Sequence, residues 1–308
     1  MNASHEDDIA HLCDALENRL QQLLPPGEPK GLVYAAMRDA TLIAGKRMRP
    51  LLLLLAARDM GCDIQRPGIV DLACAVEMIH AASLVLDDMP SMDNARLRRG
   101  KPTIHCQYGE NVAMLAAVSL LSHAFGVIAC APELNPEVKS QASAALSVAI
   151  GHLGLAQGQF LDLYAVQHGQ DVDAIVLTNE LKTSSLFDAT LQIAAIAAGA
   201  QPPTREHLRG LAREMGQAFQ LMDDLADGLN HTGKDAHKDR DKKRATLVAA
   251  LGAEAVYHRL CQHLRCADSH IVSACTSGRA TRRFMHAWFN KYAVLINPQG
   301  LSAVLEVQ

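Results

Sequence analysis

LVLDDMPSMD, residues 84–93, ends an apolar run with two adjacent carboxylates and returns a third, Asp93, after a proline. The run before it has no period-two alternation, so the stretch reads as the last turns of a buried helix and not as a strand. Pro90 disfavours helix at the residue before it, which ends the helix near Asp88 and leaves Asp93 to come back from a loop. Asp87, Asp88 and Asp93 have no base among or just before them; if they sit close together, each disfavours the charged form of the others. A positive partner is therefore expected beside them.

A second acid cluster, FQLMDDLAD, follows at residues 219–227. On a helix, Asp223 and Asp227 are i and i+4 and share a face, while Asp224 lies about 100° round. Carboxylate oxygens are hard ligands that suit magnesium, an ion that keeps several waters and bridges one or two carboxylates to substrate phosphates. Two such acidic helix ends facing each other are expected to hold ions and phosphates between them.

Composition narrows the class. Hydrophobic residues are 49% and aromatics 4%, with Ala and Leu dominant, which favours helices over strands and predicts an all-α fold. No linker divides the 308 residues, so one domain over 1–308 is expected. A net charge of -4 offers no broad field for polyanions, which argues against nucleic acid as a partner. The eight cysteines include no CxxC pair and read as reduced thiols. The polar, acidic MNASHEDDIA has no basic or apolar region of a signal peptide, and a cytoplasmic location is expected. From Asn111 to Pro132 there is no charge, and the length approaches a membrane span. Ser119, Ser122 and His123 interrupt it, and no basic or aromatic flank marks an interface. It is read as a helix buried on all sides, with no transmembrane segment expected.

Helical spacing and breakers predict helices over about 8–24, 29–44, 51–59, from Pro67 to the first cluster, 110–130, 136–165, 171–199, 204–229 and 247–275, with a last one through FMHAWFNKY. Basic turns accompany the acids. Lys46, Arg47 and Arg49 crowd the turn GKRMRP; Arg96, Arg98, Arg99 and Lys101 follow the first cluster; Lys234, Lys238, Lys242, Lys243 and Arg244 follow the second. Guanidinium forks bind phosphate oxygens in pairs, so acid rims beside such turns fit a metal-bridged diphosphate.

These motifs resemble the trans-isoprenyl diphosphate synthases along nearly the whole chain. GKRMRP resembles that family's GKRxRP turn, DDMPSMD its first aspartate-rich motif in the DDxxxxD form, LRRGKPT the RRGxPT that follows, and FQLMDDLAD its second motif. GKD at 233–235 and Thr246 resemble the tail of that region. Together EMIHAASLVLDDMPSMD and AFQLMDDLADG look most like the bacterial geranylgeranyl diphosphate synthases of carotenoid pathways. The resemblance implies antiparallel helices around a deep central cavity, a homodimer, and magnesium as cofactor. Its substrates would be isopentenyl diphosphate and an allylic diphosphate (dimethylallyl, geranyl or farnesyl).

Carried over by position, Asp87 and Asp93 are implied as magnesium ligands with Asp88 beside them, and Asp223 and Asp227 as ligands on the opposite rim beside Asp224. Lys46, Arg49, His80 and Arg99 fall where the family holds isopentenyl diphosphate. Arg98, Lys182, Thr183, Gln220 and Lys234 fall where it holds the allylic diphosphate, with Lys182 also assigned to catalysis. The chain has KTS at 182–184 where KTG is commoner, and Lys243 and Arg244 compete for one phosphate-binding place. His80 also reads as a core histidine, and Gln159 and Asp162 as a polar pair between helices. The resemblance also implies that an aromatic at the place of Ala82 stops growth at fifteen carbons. Ala82 and Ser83 are small, which leaves room for a twenty-carbon product, and Met78 one turn below is a candidate floor.

Other classes fit less well. A di-iron bundle needs a second Glu-x-x-His beside that of Glu77 and His80, and none is present. A terpene cyclase has no use for a second basic clamp, and a non-catalytic subunit has no use for two intact acid motifs. A farnesyl diphosphate synthase is the alternative product class.

Overall fold

The structure is a computed structural model and describes residues 3–24, 31–43, 45–164, 171–227, 246–275 and 278–296; for 3–6, 227 and 292–296 it describes the backbone only. Contacts divide the chain into two compact units, one of Met1–Ala57 with Asp63–Ser143 and one of Arg58–Cys62 with Ala144–Gln308.

The first unit is built on helices α1 (Ala3–Leu23), α2 (Gly31–Leu42), α3 (Met48–Asp59), α4 (Pro67–Asp87), a short α5 (Ile104–Tyr108) and α6 (Glu110–Cys130). α3 is core all round: apart from Arg49, Arg58 and Asp59, its residues are buried. Pro50 is tolerated because it lies in the first turn, whose N–H groups have no helical partner. Pro67 opens α4 for the same reason. α1 buries Leu16 and Leu20, one turn apart, and Arg19 grips Asp71 of α4 through Nε (2.6 Å) and Nη2 (3.0 Å). The only strands among the described residues, β1 (Leu97–Arg98) and β2 (Lys101–Pro102), form a small antiparallel hairpin.

α6 packs along α4 and α2 and buries Ala113, Ala116, Ala117, Leu120 and Ala124. Its outer face is not buried: Met114, Leu115 and Val118 are exposed, Val118 by 62%. The expectation of a helix buried on all sides is thus corrected, because within one chain only one face of α6 has a partner. By length and apolar composition alone, the stretches Pro67–Asp87, Glu110–Cys130 and Pro136–Tyr164 each suffice to cross a membrane.

α7 (Pro136–Ile150) leads into the second unit, which contains α8 (Leu155–Tyr164), α9 (Val172–Asn179), a π-helical turn (Glu180–Ser184), α10 (Ser185–Ala197), α11 (Pro202–Asp227), α12 (Leu247–Leu251), α13 (Ala253–Ala274) and α14 (Arg279–Ile296). α11 packs along α10 and α13. Phe187, Phe219, Trp288 and Phe289 form a chain of ring contacts from α10 through α11 to α14.

The all-α expectation holds, and its errors lie at glycines. The helix expected over 136–165 breaks at 151–154, where a Cβ on Gly154 would collide with the Ala149 carbonyl. That expected over 247–275 breaks at Gly252, whose φ of 84° no L residue adopts easily.

Candidate active site

In the first unit the chain doubles back at the end of α4. Asp88 caps the helix, and beyond Pro90 the Asp93 amide donates to the Asp87 carbonyl (2.9 Å) while the Ala95 amide donates to the Asp88 carbonyl (3.1 Å). Asn94 takes a left-handed φ of 49° to allow this return. Backbone hydrogen bonds thus bring Asp93 to Asp87, as the proline spacing predicts.

The three acids then divide by role. Asp88 is buried and receives a two-pronged hydrogen bond from Arg98, Nε to Oδ2 at 2.7 Å and Nη2 to Oδ1 at 2.8 Å. Arg98 also approaches Asp87 at 3.7 Å. Burial works against the Arg98 charge, but the Asp88 hydrogen bonds and the charges of Asp88, Asp87 and Asp93 outweigh it and raise its pKa. This guanidinium is the positive partner that the acid cluster requires.

Arg98 and Arg99 are sent apart by the hairpin. Arg99 and Gly100 occupy its turn with φ of 54° and 76°, the doubly left-handed geometry that matches the twist of the strands. The Arg99 guanidinium lies over Gly45, where a Cβ would collide with Nη1. Arg99 therefore joins the GKRMRP turn while Arg98 faces the acids.

That turn does not present three cations, as its sequence suggests. Lys46 is exposed and Arg49 half-buried, with Arg49 Nη1 3.5 Å from His80 Nε2. Arg47 instead points inward, a correction to its reading as part of an anion clamp. Burial, opposed by the charge of Glu77 and reinforced by that of Arg99, lowers the Arg49 pKa to about 10, so the guanidinium is charged near neutral pH. Burial first, then the charges of Arg49, Arg99, Arg98 and Arg47, push His80 well below its ordinary value, and it serves as a neutral imidazole.

Below these groups on α4, Met78 and Ala82 are fully buried, and Ser83 returns its hydroxyl to the His80 carbonyl at 2.8 Å.

In the second unit Lys182 and Thr183 ride on the π-helical turn, a local widening often found at functional sites. Two glycines let neighbouring helices close on it: a Cβ on Gly158 of α8 would strike the Lys182 backbone, and one on Gly216 of α11 would strike Ser184. Lys182 Nζ donates to Asp162 at 2.6 Å. Thr183 Oγ1 lies 3.4 Å from Gln220 Oε1, and Gln220 Nε2 donates to Asp224 at 2.9 Å. Asp224 is buried and Asp223 half-buried on the adjacent face. In each DD pair, then, the second aspartate turns inward and fixes a neighbouring polar side chain, Arg98 or Gln220. Asp227 is the last residue of α11, one turn beyond Asp223. Lys234, Lys243 and Arg244 lie outside the described residues.

Asp162 is the residue that sequence reasoning leaves out of the site, because nothing in a 20-residue separation signals its bond to Lys182. Among the described residues no three His, Cys, Asp or Glu side chains form a self-contained metal cage. Magnesium needs none, since one or two carboxylates suffice when water and phosphate complete its octahedron, and the hard oxygens of Asp87 and Asp93 fit that role.

The chain is similar to known proteins over most of its length. The chain is 53% identical over 285 residues to the geranylgeranyl diphosphate synthase of Pantoea ananas, covering 92% of this chain and 94% of the relative. It is 50% identical over 285 residues to that of Pseudescherichia vulneris, covering 92% of each. A solved geranyltransferase of Helicobacter pylori, in complex with magnesium and isoprenyl diphosphate, superposes with a TM-score of 0.83 at 25% identity, over 94% of this chain and 98% of that one. The sequence profile described as polyprenyl synthetase matches residues 30–271, and the chain belongs to that family.

Proposed function

We infer that this chain is a geranylgeranyl diphosphate synthase, joining isopentenyl diphosphate head-to-tail to an allylic diphosphate. The observation that carries this is the parting of two adjacent arginines, Arg98 to the acids and Arg99 to the turn of Gly45, Arg49 and His80. Two basic sites serve two diphosphates, which a cyclase does not require. The fully buried Ala82, about 7.5 Å down the helix from Asp87, supports a twenty-carbon product.

Asp87 and Asp93, and likewise Asp223 and Asp227, would hold magnesium through their hard carboxylate oxygens; the similar Helicobacter pylori geranyltransferase is complexed with that ion. When bound, magnesium neutralises charge that builds on the departing diphosphate. Arg98, Lys182, Thr183, Gln220 and Lys234 hold the allylic diphosphate and add fixed positive charge and hydrogen bonds aimed at the same leaving group. Lys46, Arg49, His80 and Arg99 hold isopentenyl diphosphate so that its double bond meets the allylic carbon. The proton lost from the new chain passes to the released diphosphate.

The family match spans both units, which supports reading 1–308 as one catalytic domain. The apolar outer face of α6 supports a homodimer, with Met114, Leu115 and Val118 against a second copy. A cytoplasmic enzyme feeding carotenoid synthesis is the reading that the motif resemblance and the free cysteines favour. Incubation with magnesium, isopentenyl diphosphate and each allylic starter, followed by product sizing, tests the activity; a product that stops at fifteen carbons favours a farnesyl diphosphate synthase. Light scattering that gives a monomer at micromolar concentration refutes the dimer.

A further inference from the structure

Arg47 sits in the middle of the GKRMRP turn, yet only 4% of it is exposed. Its backbone has a left-handed φ of 44°, a conformation that side chains other than glycine seldom adopt and that persists only where surrounding structure enforces it. The enforcement is visible. Nε donates to Glu17 of α1 at 2.6 Å, Nη1 to Glu77 of α4 at 2.6 Å, and Nη2 to the Ile43 carbonyl at 3.3 Å. Arg47 is thereby bolted to the helix that carries His80 three residues on from Glu77, while Lys46 just before it is exposed and Arg49 two residues on reaches His80. The Glu77 side chain is 5% exposed, and its charge also offsets the burial of Arg49.

We propose that Arg47 and Glu77 are positioning residues for isopentenyl diphosphate: they touch no substrate, but their ion pair holds the left-handed turn that aims Lys46 and Arg49 at the diphosphate beside His80 and Arg99. This rests on assigning that clamp to isopentenyl diphosphate. A purely structural ion pair would affect both substrates alike and would be replaceable by apolar packing, since breaking one partner orphans a buried charge whereas removing both often restores stability. A positioning pair behaves differently, because apolar replacements refill the space without restoring the aim of the turn.

The test is steady-state kinetics of the full chain with each substrate varied in turn, alongside thermal melting, for Arg47→Lys, Arg47→Met, the double variant Arg47→Met/Glu77→Leu and the control Lys46→Ala. Arg47→Lys keeps the charge and loses the fork, so it remains informative if Arg47→Met fails to fold. The expected result is a KM for isopentenyl diphosphate raised about tenfold or more in Arg47→Lys and in the double variant, with the allylic KM within about twofold. The double variant should melt near the wild type. Recovery of both melting and KM in the double variant, or equal shifts for the two substrates, overturns the proposal. An unchanged isopentenyl diphosphate KM in Lys46→Ala overturns the clamp assignment itself, and that outcome is separately readable.

Discussion

Arg98 and Asp88 hold each other by two parallel hydrogen bonds of 2.7 and 2.8 Å, whereas Asp87, one residue earlier, meets the same guanidinium only at 3.7 Å. The adjacent aspartates therefore respond differently to loss. Asp87→Ala and Asp223→Ala should lower turnover by orders of magnitude with melting little changed, because each removes an ion ligand and relieves repulsion. Asp88→Ala should cost about 2 kcal/mol of stability besides activity, because it leaves the Arg98 fork half-buried without its partner. Urea titration of the three variants separates them; equal destabilisation at 87 and 88 would contradict the division of roles.

The hairpin that parts Arg98 from Arg99 predicts a split in substrate affinity. Arg98→Lys should raise the allylic KM and Arg99→Lys that of isopentenyl diphosphate, because lysine keeps the charge and loses the two-pronged grip. A reversed pattern would mean that the two sites are exchanged.

Lys182 and Asp162 meet at 2.6 Å on a turn that two glycines allow to be closely packed. Asp162→Asn keeps the shape and removes the charge that steers Lys182. The allylic KM should rise several-fold with little change in melting, as for a partly exposed ion pair. An unchanged allylic KM would return Asp162 to the role of a surface-side contact.

His80 should act uncharged. Its folded pKa lies well below 6.5, so below that pH the unfolded chain takes up the proton first. The stability tied to the neutral imidazole is thus complete above about pH 6.5 and is lost progressively as pH falls towards the folded pKa. His80→Gln, neutral at every pH, should keep the isopentenyl diphosphate KM within a few-fold and flatten the fall in melting temperature between about pH 6.5 and 5. A steep fall that persists in His80→Gln would place its origin in another group, such as the half-buried His286 beside Asp268.

Product length should follow α4. Ala82→Tyr should shift the product from twenty carbons towards fifteen, and Met78→Ala should release some longer chains, since both positions are fully buried below the acids. An Ala82→Tyr enzyme that still makes mainly twenty-carbon product would show that the depth is set elsewhere.

How much of this is legible in the sequence depends on the range of each cause. Pro90 ends α4 by a clash with its own neighbour, so the helix end and the return of Asp93 can be read from ten letters. The i, i+4 relation of Asp223 and Asp227 is equally local. Arg47 reads as a clamp residue because Lys46 and Arg49 flank it, but its true partners lie 30 residues away in both directions, at Glu17 and Glu77. The inward turn of Asp88 needs Arg98, ten residues on, which the loop and its left-handed turn deliver. The exposed face of α6 is illegible for another reason: an apolar face looks the same in sequence whether the same chain or another molecule covers it.

Glu77, Met78, His80, Ala82 and Asp87 all lie on one uninterrupted helix, α4. One residue inserted between Ala82 and Asp87 would turn everything on the N-terminal side by about 100° and slide it by about 1.5 Å. Tail space, imidazole and the anchor of Arg47 would leave their places together. The helix thus behaves as a ruler with its markings engraved: descent can alter a mark by exchanging a side chain, but frame-preserving insertions and deletions in this segment are closed to it as a route to new products.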